Sequence, residues 1–165
     1  MKLKGLIAAA FGGIISFGAM STTNADDLGK QGTFSGQIGI VALSENAMAM
    51  AENHLYIVGK YAGASTNSSG SGFLQNMAWA CGGTTEIVDG VPTGIGYCTV
   101  TDQDGDQISG QWSCTGGTDD CDQYFNIGGT GKYEGMQSHN KFKLVFIGST
   151  GAFNSFLWDG AYTIP

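Results

Sequence analysis

Apolar and polar residues alternate in short runs along this chain, and clusters of Gly, Asn, Asp and Ser break the runs about every ten to fifteen residues. That rhythm predicts many strands and almost no helix. The expected strands are Gly32 to Ser44, His54 to Gly63, Phe73 to Cys81, Gly94 to Thr101, Gln107 to Cys114, Gly131 to Gln137, Lys141 to Ile147 and Ser155 to Thr163. One segment reads otherwise: Glu45 to Asn53 carries Ala47-Met48-Ala49-Met50-Ala51, which has high helix propensity although the segment is short for an isolated helix.

Period-two alternation assigns faces. Phe142, Leu144 and Phe146 share one face, assigned to the core, while Lys141 and Lys143 begin the other. Phe156, Trp158, Gly160 and Tyr162 align in the last run, and Phe34, Gly36, Ile38 and Ile40 align in the first. Pairing these two runs would close the sheet and remove its edges. The expected fold class is therefore all-β, a closed antiparallel barrel of about eight strands. Between strands, Asn67 to Gly72 reads as a flexible loop, Gly82-Gly83 and Asp89-Gly90 frame a long connection carrying Pro92, and Asp104-Gly105 is a strong hairpin signal. Gly128-Gly129-Thr130-Gly131-Lys132-Tyr133-Glu134-Gly135 reads as a sharp backbone bend entering a strand.

The beginning of the chain reads as a leader. Lys2 and Lys4 precede an apolar and small-residue stretch from Leu6 to Met20, and Thr23-Asn24-Ala25 supplies small residues before a cut at Asp26. The stretch, about 15 residues, is shorter than the roughly 20 that span a bilayer, so no membrane span is expected. Residues 1–25 are thus read as a signal peptide and residues 26–165 as a single domain, secreted or periplasmic.

The formal charge is −7. Without Lys2 and Lys4, five lysines face fourteen carboxylates, giving −9, and the chain contains no arginine. Nucleic acid and anionic surfaces are bound through clustered Lys and Arg, so neither is an expected partner. The usual bidentate clamp for phosphate or carboxylate is also missing. A small neutral or apolar ligand fits this composition better than an anion.

Four cysteines, Cys81, Cys98, Cys114 and Cys121, form an even set in an exported chain and favour two disulfides. Three pairings are open; the preferred one joins Cys114 to Cys121 around a short loop and Cys81 to Cys98 across neighbouring strands. A zinc site is the alternative, but no C-x2-C spacing supports it, and neither metal nor cofactor is expected. Asp102-Gln103-Asp104-Gly105-Asp106 resembles the start of a calcium loop, yet its twelfth position is Ser113, so a hairpin turn is the better reading and a weak surface calcium site the other. Thr118-Asp119-Asp120-Cys121-Asp122 reads as a solvated loop tip.

His54 and His139 are too few for a multi-histidine metal site and read as strand-end or loop residues, with a catalytic histidine as the alternative. Trp79, Trp112 and Trp158 fall in different strands. They either fill a small barrel or line a ligand pocket at its mouth.

The glycine segment at Gly128 to Gly135 resembles the Gly-Gly-Thr-Gly motif and following aromatic of dirigent proteins and the related allene oxide cyclase barrel-like proteins. Asp104-Gly105-Asp106 before a strand, then this segment, then Trp158-Asp159-Gly160-Ala161-Tyr162, is similar to the order of features in bacterial members of that group. The likeness covers residues 98–165. It implies an eight-stranded antiparallel barrel with a central cavity, assembled as a dimer or trimer. Dirigent proteins continue with Arg and Ala-Arg-Gly after the aromatic, whereas Glu134-Gly135-Met136-Gln137-Ser138-His139 stands here, so only the glycine frame carries over.

Three functions are consistent with these observations. The first is an exported barrel that binds a small neutral or apolar molecule, with Trp79, Trp112 and Trp158 as candidate ligand contacts. The second is a cyclase or isomerase-like enzyme in which an inward Glu134, with Tyr133 or Tyr162, handles a proton. The third is a structural or interaction protein of the cell surface, with a filled barrel and an apolar outer patch.

Overall fold

The structure is a computed structural model and describes residues 28–117, 119–148 and 153–165. The proposed leader lies outside these residues, as does Thr118 of the acidic loop tip. Eight strands follow in chain order: β1 (Gln31–Ala51), β2 (His54–Asn67), β3 (Met77–Val88), β4 (Val91–Thr101), β5 (Gln107–Cys114), β6 (Cys121–Gly129), β7 (Gln137–Ile147) and β8 (Phe153–Thr163). Each pairs antiparallel with the next, and β1 pairs with β8, from Gln31 opposite Thr163 to Val41 opposite Phe153. The all-β closed barrel is as the alternation predicts. Among the described residues no helix is long and apolar enough to cross a membrane.

Several local expectations are corrected. Glu45 to Asn53 is not a helix. Strand β1 continues through it to Ala51, because Ser44 to Ala51 pair with Lys60 to His54 and ladder bonds outweigh Ala and Met propensity. Gly131 to Gln137 is not a strand. Gly131–Tyr133 is a single 3-10 turn, and Gly131 (φ +53°) and Gly135 (φ +74°) hold left-handed conformations that a ladder does not accept. The eighth strand is instead β6, which takes in Asp122 from the acidic segment read as a loop tip.

Gly82 and Gly83 belong to β3, so the connection carrying Pro92 shrinks to the Asp89-Gly90 turn. Pro92 is tolerated near the start of β4 because pairing with β5 begins only at Gly94. Phe146 does not join Phe142 and Leu144 inside. A register shift between Leu144 and Phe146 adds one residue to β7 and turns Phe146 outward, 55% exposed and 6.1 Å from the Phe153 ring.

The barrel is plugged at the end that carries the β2–β3 loop, the β4–β5 hairpin and the 3-10 turn. Phe73, expected as the first residue of a strand, lies in the β2–β3 loop and enters the barrel with Leu74, both fully buried. Phe73 sits among four rings, with centroids 5.0 Å from Phe34, 5.4 Å from Tyr162, 5.8 Å from Phe125 and 5.9 Å from Tyr133. Leu74 has φ +65°, a strained value for a side chain with a Cβ. The loop is tied down by Ser65 Oγ donating to the Leu74 carbonyl at 2.7 Å and Asn67 Nδ2 donating to that of Phe73 at 2.8 Å.

The plug is latched by Asp102. Its side chain is 7% exposed and accepts from Tyr133 Oη at 2.9 Å, from Lys132 Nζ at 2.7 Å, and from the backbone N–H groups of Asp104 and Asp106 at 2.9 and 3.0 Å. Burial by itself would raise this carboxyl, but the bonds from Lys132 and Tyr133, the Lys132 charge and the Asp104 amide together hold it below the ordinary 3.8. Tyr133 is pushed far above its ordinary value by burial and then by the Asp102 bond and charge, so it stays a donor. The hairpin reading of Asp104-Gly105 holds, with Gly105 at φ +89°. In place of a calcium ion, the Lys132 ammonium lies between Asp102 and Asp104, 2.7 and 2.6 Å away.

A group whose folded pKa is depressed stabilises the fold above its unfolded pKa, and loses that contribution as pH falls through the folded value. Asp102→Ala is therefore expected to lower unfolding free energy by about 2 kcal/mol or more at neutral pH. The gap to wild type should close below pH 3.8, as read by urea unfolding across pH. A gap that stays constant with pH contradicts the latch.

Candidate functional site

The half of the barrel away from the plug is hollow. A cavity of about 460 Å³ runs from Trp79, Gln123 and Trp158 at its floor to Ile87, Pro92 and Ile147 near the rim. Ile38, Ile40, Ile57, Leu144, Phe142 and Phe156 form its apolar wall, the last two in an edge-to-face contact at 5.7 Å.

The hollow exists because its rings lie against the wall and not across the axis. Trp112 spreads over Gly83, Gly94 and Gly96, where an added Cβ would fall 2.5, 3.1 and 2.5 Å from indole atoms. Trp158 covers Gly36 in the same way at 2.9 Å, and the Tyr61 ring covers Gly59. A side chain at any of these glycines would push its ring toward the axis.

Both disulfides take the preferred pairing, Cys81 with Cys98 and Cys114 with Cys121. They join β3 to β4 and β5 to β6 at directly opposed, inward positions, so all four cysteines are part of the cavity wall. The floor is polar. Trp79 Nε1, Trp158 Nε1, Gln123 Nε2 and Asn140 Oδ1 are buried and have no hydrogen-bond partner among the described residues, a costly arrangement that native proteins keep sparingly.

Glu45 is the one charged residue among the described residues of the lining. It is exposed and takes its place on the cavity side through a bulge. Ala42 pairs with Tyr61 but Ser44 pairs with Lys60, so one extra residue enters β1 and the inward set changes from Ile38 and Ile40 to Glu45, opposite Gly59. Tyr61 donates its hydroxyl to Glu45; burial first, then that bond and the carboxylate charge, push the phenol up to about 12. Tyr61 therefore keeps its proton at ordinary pH and acts as a donor.

The three candidate tryptophans converge on this cavity, Trp79 and Trp158 at the floor and Trp112 on the wall. The candidate proton-handling residues do not. Glu134 is exposed at the plugged end, Tyr133 is buried against Asp102, and Tyr162 is packed among Phe34 and Phe73. His54 contacts Glu86, and His139 contacts Asp122 while stacking on Tyr124, with Nε2 to carboxylate distances of 2.6 Å in both cases. No group of three or more His, Cys, Asp or Glu among the described residues is arranged to hold a metal. Glu45 and Tyr61 escape a reading by alternation, because the bulge at Leu43 reverses the inward face and the Ala and Met residues that follow look helical.

Gly96→Val is expected to push Trp112 from its bed and to clash with the Gly82 carbonyl, costing about 1–3 kcal/mol with a change in near-ultraviolet circular dichroism. Gly128→Ala, with nothing within 4 Å of the added Cβ, should leave both unchanged. Equal behaviour of the two variants would contradict the glycine bed.

No family model matches the chain, and no curated protein matches it in sequence. Solved structures do match in shape. The pterocarpan synthase dirigent protein PsPTS1 superposes with a TM-score of 0.52 at 10% identity, over 83% of this chain and 97% of that one. The pterocarpan synthase dirigent protein GePTS1 gives 0.50 at 12% identity, over 82% and 92%. In fold, this protein is a dirigent-like eight-stranded barrel.

Proposed function

We propose that this protein binds a small, predominantly apolar molecule inside the barrel, in the hollow half above the plug. The observation that carries the reading is the cavity itself, about 460 Å³, walled by aromatic and aliphatic side chains and containing no Lys or His among its described lining residues. Cavities of this size and character enclose small organic ligands and orient them with a few polar groups. The hollow speaks against a purely structural role, which called for a filled barrel. The two disulfides fit an oxidising compartment, in keeping with a secreted or periplasmic protein. The activity of the two pterocarpan synthases is not carried across by a shared fold at 10 and 12% identity. Nor does an inward Glu134 support an isomerase, since that residue is exposed.

The neutral dye N-phenyl-1-naphthylamine is expected to bind with a rise in its emission, and Thr85→Trp, which fills the cavity from its lining, should weaken it about tenfold or more without lowering the melting temperature. A dye that gains no emission, or one that binds both proteins equally, would show that the hollow is not the binding site.

A further inference from the structure

We propose that the apolar ligand carries one positive charge: it is an organic ammonium ion whose charged group sits against Glu45 and whose body lies among the rings of the cavity. This rests on the binding reading above and specifies its ligand. The first observation is the bulge in β1. Without the extra residue at Leu43, position 45 would lie on the outer face of the sheet; with it, the carboxylate lines the cavity while staying exposed to solvent. The second is that this carboxylate has no ion pair among the described residues: Lys132 and Lys141 pair with Asp102, Asp104, Asp120 and Asp122 elsewhere, and the described lining holds no cation. Its partner is the neutral Tyr61 hydroxyl, which orients it without neutralising it.

The third observation is the wall. Tyr61, Trp79, Trp112, Trp158, Phe142 and Phe156 line the same space. Ring faces attract cations through their quadrupole, most strongly tryptophan, and aromatic cages with a nearby carboxylate are how proteins hold ammonium groups in place of water. An anion is disfavoured by Glu45 and has no counter-charge. A neutral hydrocarbon would fill the hollow but leave the carboxylate without a counter-charge. The net charge of −7 also draws cations toward the molecule.

The test uses benzyltrimethylammonium and its uncharged carbon isostere neopentylbenzene as competitors of the bound naphthylamine dye. On the wild-type protein the ammonium compound is expected to compete about tenfold more strongly. Glu45→Gln should erase that preference and leave neopentylbenzene unchanged, whereas Glu86→Gln, on the outer face, should keep it. Equal competition by the two compounds, a preference that survives Glu45→Gln, or no displacement by either compound overturns the proposal while dye binding leaves the binding reading standing. Absence of dye binding removes both.

Discussion

Room for rings along the inner wall is the constraint on which this barrel depends. An eight-stranded barrel is narrow enough for side chains to fill it completely, and this chain carries enough large aromatics to do so. Inward glycines change the outcome in the upper half. Gly83, Gly94 and Gly96 under Trp112, Gly36 under Trp158 and Gly59 under Tyr61 let each ring lie against the backbone. The rings still gain contact with the wall, and the axis stays open. In the lower half the rings of Phe73, Phe125 and Tyr133 meet one another and close the space. One composition thus yields a solid base and a hollow top.

The two halves are stabilised by different means. The base is held by a buried carboxylate whose four donors come from the β4–β5 hairpin and the 3-10 turn, so it locks together segments that are distant in sequence. The top has little to pack across its axis. There the disulfides bind neighbouring strands covalently, within the wall that surrounds the cavity. A cavity wall pinned in this way stays in shape without contacts through its centre, which is the preorganisation a binding site needs.

Bulges decide what the cavity contains. A single extra residue reverses the alternation of everything beyond it. In β1 this brings Glu45 inside, and in β7 it sends Phe146 outside. Both residues lie on the hollow half, so these two irregularities change the chemistry of the site.

Much of the architecture was legible along the chain. Alternation and turn signals located seven of the strands in part and identified the first and last as partners, and the pairing preferred among three for the cysteines is the one the structure has. The rest was hidden for physical reasons. Ala47 to Ala51 are helix formers that pairing with β2 overrides, and Gly131 and Gly135 look like strand neighbours until their left-handed conformations are seen. By itself the sequence determined an all-β, closed and disulfide-bonded chain, because local alternation and turn chemistry act between near neighbours. Which side chains face the cavity, and that a cavity remains at all, was decided only by the tertiary structure: bulges depend on register with a partner strand, and a ring lies flat only where distant glycines meet it.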